Sequence, residues 1–498
     1  MNGQARCWLL RCTLGTLVFG CSDATSPGTA GPFVIAAGNA QKDTIGATLT
    51  GALIVRVRPL ARDTSPLTVT FTALTDSGPQ GLQYSALVTT LTANAPSASV
   101  SVSADAQREA AVQVILGPNA GSAKIAIRLN GYPNQDTATF TVLPGAVASL
   151  SVSPRDTAVY VGGTVTYRGA TLDREGNPRT DQVSFNPMSP FTGQTFGRSS
   201  VIASAAGLTD TVFVSVVPQG TLAASDGSHI LEFSLDGSHV RSIASVTGAS
   251  DLSWSPSGTQ VAYVDYGGGS LFVTDTLGNV HVGAVGGDDY IETPQYAPDG
   301  SWLYYTYVTN GDIPQVWRVR PTDSSTAAEF VTSVGAMQPS PSPDGTRLAM
   351  LIGINNALVV YDTASGTTTN TGASNALTPV WMPGGASIAY VGPASIPSFA
   401  FIPGQSDAGS GPINVVTASG STNRVISANG TTYASRIAWS GDGQWIVAHN
   451  TTTNRLDLIN VSGSLTLPLG YTTGWTSPAW KPISGASGSR VGAQRRHR

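Results

Sequence analysis

Apolar and polar positions alternate with a period of two along much of this chain. Leu67, Val69, Phe71 and Ala73 are separated by threonines, and Ala138, Phe140 and Val142 alternate with Thr137, Thr139 and Thr141. That period places one set of side chains on one face of a strand. Further strand-like runs fall near 53–58, 84–92, 97–103, 110–116 and 123–129. Roughly seven or eight short strands in about 110 residues predict a β-sandwich over residues 33–144.

A smaller unit is expected over 145–218. Ala148-Ser-Leu-Ser-Val-Ser-Pro154 reads as a strand, Val161-Gly-Gly-Thr-Val-Thr-Tyr167 as a turn and strand, and Leu172-Asp-Arg-Glu-Gly-Asn-Pro178 as a strand entering a turn. Val212, Val214 and Val216 supply a closing strand before Pro218. These segments resemble the opening of a bacterial immunoglobulin-like domain of the surface-adhesin type. The resemblance covers about 70 residues and implies a spacer or adhesive module, with no ligand named.

The rest of the chain is organised by a repeat. Trp254-Ser-Pro-Ser-Gly258, Tyr296-Ala-Pro-Asp-Gly300, Pro341-Ser-Pro-Asp-Gly345, Trp381-Met-Pro-Gly-Gly385 and Trp439-Ser-Gly-Asp-Gly443 recur, each before an apolar strand, and Trp480-Lys-Pro482 is a sixth copy. The intervals are 42, 45, 40, 58 and 41 residues, and about 45 residues is the length of one four-stranded propeller blade. The Asp-Gly or Gly-Gly pair suits a tight turn between a blade's first and second strands, and the leading aromatic is expected to pack between neighbouring sheets. The sixth copy has no strands after it. Leu222-Ala-Ala-Ser-Asp-Gly-Ser-His-Ile-Leu-Glu-Phe-Ser-Leu-Asp-Gly237, ahead of the first copy, reads as a second strand, a turn and a third strand. The last strand therefore completes the first blade, which removes exposed sheet edges. The expected fold class is all-β: two N-terminal immunoglobulin-like β-sandwiches, then a six-bladed β-propeller over 219–483, closed by strand sharing between its ends.

These motifs resemble the WD40-like repeats of the TolB-type propeller, also found in the propellers of prolyl-oligopeptidase-like peptidases. The resemblance covers about 260 residues. TolB-type proteins carry an α/β domain ahead of the propeller, whereas immunoglobulin-like units are expected here, so a Tol-Pal role does not carry over. Peptidase activity does not carry over either: there is no Gly-x-Ser-x-Gly elbow and no α/β segment to house a hydrolase triad.

Composition agrees with strands. Charged residues make up 11% of the chain, with Glu only at 109, 175, 232, 292 and 329 and Lys only at 42, 124 and 481. Strong helix formers are thus scarce, while Thr, Ser, Val and Gly suit strands and turns. A net charge of -4 gives no basic field for nucleic acid. Arg490, Arg495, Arg496 and Arg498 form a basic tail over 484–498, read as solvated.

All three cysteines, Cys7, Cys12 and Cys21, lie in the first 21 residues. Arg6 and Arg11 precede the apolar run 12–20, and a Ser/Thr/Pro/Gly-rich stretch follows Cys21. This is the order of a bacterial signal peptide over 1–20, then a linker over 21–32. Leu17-Val18-Phe19-Gly20-Cys21 resembles a lipobox, which implies lipidation at Cys21, although Phe19 departs from the usual small or aliphatic residue. No later segment approaches the ~18 apolar residues of a membrane span. Membrane contact is expected only through the lipid anchor, at the periplasmic or outer cell surface of a bacterial envelope.

Catalytic chemistry is hard to find. Histidines at 229, 239, 281, 449 and 497 form no metal-spaced pair, and turn geometry explains the Asp-Gly pairs without calcium. No cofactor or metal is expected. Three residues before each motif position stand Asp251, Thr293, Gln338, Thr378, Arg436 and Ser477. All are polar, and they are expected at the channel mouth where each inner strand begins. Pro294, Pro339, Pro379 and Pro478 follow four of them, consistent with a constrained strand entry. Inter-blade loops add Asp288, Asp289, Tyr290, Tyr433 and Trp475 to that face. The long interval reflects an insertion near 393–411 that carries Phe399 and Phe401 among prolines and glycines. Carboxylates beside aromatic faces suit a peptide or sugar. The leading reading is non-enzymatic binding of a protein, peptide or glycan at this face. The alternatives are a propeller-based glycosidase or lyase using Asp251, Asp288, Asp289 and Glu292, which needs two acids about 5 to 10 Å apart, and a passive envelope scaffold.

Overall fold

The computed structural model describes residues 31–59, 66–92, 95–246, 248–265, 269–284, 290–308, 314–321, 327–332, 335–392 and 409–482. The chain is all-β; apart from one short 3-10 turn at Gly470–Thr472, no helix occurs among the described residues. None there is long and apolar enough to cross a membrane. Two compact units form: the chain up to Ser149 with Thr171–Thr180, and Leu150–Ala170 with everything from Asp181 onward.

The first unit is a two-sheet sandwich. Phe33–Ala37, Leu53–Val57, Glu109–Leu116 and Ala86–Thr90 make one sheet. Lys42–Thr44, Gln135–Leu143, Gly121–Leu129, Thr68–Ala73 and Ser99–Ser103 make the other. The period-two positions meet between them: Val55, Val69, Phe71, Val88, Val112, Ile125, Ile127 and Phe140 share one fully buried cluster. Each such side chain contributes about 1.5–3 kcal/mol of burial. The Asp173–Asn177 turn is held by its own polar groups. Asp173 Oδ1 accepts the Glu175 and Asn177 amides at 3.0 and 2.8 Å, and Oδ2 accepts the Gly145 amide at 2.8 Å. Asn177 in turn donates to the Pro118 carbonyl and accepts from Ala120, at 2.9 and 2.8 Å. Burial alone would raise the Asp173 pKa, but the donors from Asn177, Gly145 and Glu175 outweigh it and hold the carboxyl below its ordinary value.

The second unit opens with a small sheet, Thr157–Tyr160, Leu208–Val217, Gly197–Ala205 and Ser184–Asn186, over a core of Val159, Val201, Val212, Val214 and Val216. Among the described residues, six further sheets follow. Sheets I to V open with the strands Ala249–Trp254, Tyr290–Tyr296, Ala336–Pro341, Leu377–Trp381 and Tyr433–Trp439, and each is an antiparallel four-strand meander. Sheet V also takes in Ser410–Gly411, beside Tyr433 and Ala434. Sheet VI joins Thr476–Trp480 to Thr221–Ser225, His229–Ser234 and Val240–Ser245, with Leu222 opposite Trp480. Each opening strand contacts the next around a circle, and Thr476–Trp480 touches those of both sheet V and sheet I. The result is a β-propeller whose inner strands surround an axis.

The repeat residues act at the points their chemistry allows. Gly258, Gly300, Gly345, Gly385 and Gly443 all have φ between 68 and 74°, a region open to glycine at little cost. Asp344 Oδ1 accepts the Ser342 hydroxyl at 2.5 Å and the Thr346 amide at 3.0 Å, so it braces its own turn. Trp254, Tyr296, Trp381 and Trp439 each lie in an apolar cluster drawn from two neighbouring sheets. The small sheet is fastened to this body: Ala158 and Val217 share a buried cluster with Leu222, Trp445, Leu467 and Leu469, and Ser215 donates to the Pro468 carbonyl at 3.1 Å.

Candidate functional site

The six polar residues on the inner strands come together. Asp251, Thr293, Gln338, Thr378, Arg436 and Ser477 line one pocket on the propeller axis, about 390 Å³ including its solvent mouth. They do not stand at strand entrances, as expected from the sequence, but inside the strands at bulges. In sheet I, Ser250 pairs with Val264 and Ser253 with Ala262, so Asp251 and Leu252 together face the single residue Tyr263. The same mismatch recurs in sheets II, III and IV. A bulge turns its extra residue out of the ladder and re-aims the side chain. Asp251, Thr293, Gln338, Thr378 and Ser477 accordingly have φ of 57, 54, 55, 38 and 50°. In sheet V three residues, 434–436, face the single residue His449 between the Tyr433 and Ile437 pairs, and Arg436 is delivered without a positive φ.

Burial follows from this position. Asp251, Thr293, Thr378, Arg436 and Ser477 are each 7% exposed or less, so the ring is a buried collar rather than a solvated rim. Half of it is tied from sheet to sheet. Asp251 Oδ2 accepts the Thr293 amide at 2.8 Å, Thr293 and Thr306 hydroxyls meet at 2.9 Å, Thr306 accepts the Gln338 amide at 2.7 Å, and Gln338 Oε1 accepts the Thr378 amide at 2.6 Å. Three of these bonds satisfy a backbone amide at a bulge, those of Thr293, Gln338 and Thr378.

The other half is not tied. Arg436 Nε approaches Asp251 Oδ1 at 2.5 Å, an ion pair without hydrogen-bond alignment. Arg436 Nη2, Thr378 Oγ1 and Ser477 Oγ are buried and have no partner among the described residues. Such groups are costly in a folded interior and call for an explanation. Asp251 is the only carboxylate lining the pocket among the described residues.

The other sequence candidates are placed differently. Tyr433, expected on a loop of the open face, is the fully buried first residue of its strand. Its hydroxyl lies 3.3 Å from Asp457 Oδ2, which also accepts Asn450 Nδ2 at 2.7 Å. Burial pushes both the Tyr433 phenol and the Asp457 carboxyl upward. Trp475 packs edge-on against Phe233 and Tyr471, with ring centres 4.8 and 6.1 Å apart, so its ring is engaged in local packing. Tyr290 opens the first strand of sheet II, half-buried opposite Val308. Cys21, Asp288, Asp289, Phe399 and Phe401 lie outside the described residues. Thr306, on a second strand, was missed because its offset follows no motif position.

Comparison with known proteins adds the following. No family model matches the chain. A stretch of 100 residues is 29% identical to an uncharacterized protein of Agrobacterium fabrum, covering 20% of this chain and 34% of that protein. The chain thus spans about a third of the length of the curated relative it matches. Among solved structures it is similar to TolB from Acinetobacter baumannii, with a TM-score of 0.43 and 15% identity over 58% of this chain and 81% of that one. It is similar to a putative TolB from Agrobacterium tumefaciens, with a TM-score of 0.39 and 13% identity over 53% and 99%. An oligogalacturonate lyase in complex with manganese is also similar, with a TM-score of 0.31 and 14% identity over 51% and 72%. What the collar can bind is set by this chain's own residues.

Proposed function

We propose that this chain is an exported envelope protein, lipid-anchored at Cys21, in which two immunoglobulin-like sandwiches precede a six-bladed propeller that binds a protein or peptide ligand without catalysis. The binding reading rests on one observation: half of the axial collar is closed by its own hydrogen bonds, and the other half holds buried donors with no partner among the described residues. The anchor reading rests on the Leu17–Cys21 pattern alone. Six successive sheets, the last completed by a strand from the far end of the domain, support the blade count.

The test is capture of partners from envelope extract on the intact chain and on a Thr378→Val/Ser477→Ala variant. Recovery of a partner by the intact chain and its loss in the variant is expected. Equal recovery by both would remove the collar as the binding site. Palmitate incorporation that persists in Cys21→Ala would rule out the anchor.

A further inference from the structure

We infer that the outer face of the second sheet of the first unit is a docking surface for an acidic polysaccharide, held by Lys42, Lys124 and Arg128. The surface belongs to the first unit, so it stands or falls independently of the collar.

The face follows from the register of the five strands. Val69, Phe71, Ile125, Ile127, Phe140 and Val142 point into the sandwich core, so the residues between them point outward. Thr141 pairs with Lys42 and with Ser122, Thr139 pairs with Lys124, and Arg128 pairs with Thr70. Lys42, Lys124 and Arg128 therefore share one side of one sheet, and all three are exposed. By strand spacing, Lys42 lies about 12 Å from Lys124, and Lys124 about 14 Å from Arg128.

Charge sets this face apart. The five strands place no Asp or Glu in its outward rows, and none of the three cations forms an ion pair among the described residues. Arg128 Nε donates instead to the neutral Gln135 Oε1 at 2.9 Å. The facing sheet shows the contrast: there Arg56 Nε donates to Glu109 Oε1 at 2.8 Å. The whole chain has a net charge of -4 and three lysines, and two of them stand here. Cations gathered on one face without a carboxylate attract an anion.

The neighbouring hydroxyls decide which anion. Thr70 meets Ser101 and Thr72 meets Ser99 across the strands, each pair at 2.9 Å, and Thr70 donates to Asn130 Oδ1 at 3.0 Å. These bonds fix the rotors, while each hydroxyl oxygen keeps a free lone pair. Fixed hydroxyls beside cations suit a ligand with hydroxyls and carboxylates on the same unit, a uronic-acid polymer. The outward rows hold no aromatic ring, so a neutral glycan has nothing to stack on. Leu143 is the one large apolar side chain in those rows, too little to enter a bilayer. A linear polymer can bridge all three cations, and linked weak contacts reinforce one another through effective concentration.

Biolayer interferometry with the full chain tests this on four surfaces: alginate as a polyuronate, dextran as a neutral glycan, poly-glutamate as a carboxylate polymer without sugar hydroxyls, and phosphatidylglycerol vesicles. Alginate is expected to hold the chain about tenfold more tightly than the other three, in line with several exposed charge contacts acting together. Retention should fall as salt rises, because exposed charges are screened beyond about 10 Å at 0.1 M. Lys42→Gln/Lys124→Gln/Arg128→Gln should weaken alginate binding about tenfold with an unchanged unfolding midpoint. Lys42→Arg/Lys124→Arg keeps the charges and should keep the binding. Arg56→Gln/Arg155→Gln/Arg320→Gln removes the same charge elsewhere and should also keep it. No retention on alginate at low salt overturns the inference, as does equal retention on dextran. Equal retention on poly-glutamate would reduce the face to charge alone, and tighter retention on vesicles would make it a membrane contact, so either removes the polysaccharide. Equal loss in the two triple variants removes the face. None of these outcomes bears on partner capture at the collar.

Discussion

At the scale of single residues, the collar combines one buried charge pair with strained backbone. Removing one member of a buried pair leaves the other uncompensated, a loss of about 3–5 kcal/mol. Arg436→Gln and Asp251→Asn should each destabilise the propeller by about that amount, with the double variant falling well short of the sum. Urea unfolding of the four proteins checks this, and strict additivity would mean that the 2.5 Å contact carries no coupling. Ser477 presents the opposite case. Its φ is 50° and its buried hydroxyl has no partner among the described residues, so Ser477→Gly should relieve strain and stabilise the chain by about 1 kcal/mol. A lower unfolding midpoint in Ser477→Gly would show instead that the hydroxyl holds the bulge together.

At the scale of elements, turns are where polar side chains do measurable work. Asn177 is 1% exposed and joins the Pro118–Ala120 segment to the Asp173 turn. Asn177→Ala should cost about 1–3 kcal/mol in the first unit, read as a shift in that unit's unfolding midpoint. In sheet III, burial of Asp344 would raise its pKa, but donors from Ser342 and Thr346, with the charge of Arg347, bring it down to about 2. A folded pKa below the unfolded value of about 3.9 means the carboxylate stabilises the fold above that pH and loses its effect as pH falls toward 2. The stability gap between wild type and Asp344→Ala should therefore narrow between about pH 4 and 2, and a constant gap would show that the charge is irrelevant. Elements of this kind were legible in the sequence because the five Gly turns and their aromatics repeat at fixed offsets. The collar was legible only as six polar letters. Its burial was not, since a bulge changes which face a residue occupies without altering the letters around it. Tyr433 and Trp475 read as loop aromatics because nothing local shows that Asp457 or Phe233 comes to meet them.

At the scale of the molecule, the propeller is closed by one short strand. Leu222 pairs with Trp480 and Ala223 with Ala479, while Lys481 Nζ reaches the buried Glu232 carboxylate at 2.6 Å. Burial would raise the Glu232 pKa, but Lys481 and Arg241 outweigh it and hold it low. This latch therefore contributes above the ordinary glutamate range and weakens as pH falls through the lowered value. A chain ending at Gly474 would lose Thr476–Trp480, the Lys481 contact and Ser477 of the collar. It would also leave Thr221–Ser225 as an unpaired edge, open to pairing with another chain. Such a chain should aggregate on size-exclusion chromatography and lose the single cooperative transition of the second unit. Added peptide spanning 475–482 should restore both by refilling the gap. The small sheet gives the internal control, because Ala158 and Val217 pack with Leu467 and Leu469 ahead of the cut. A truncated chain that unfolds at the wild-type midpoint without aggregating would place closure in that apolar contact rather than in the shared strand.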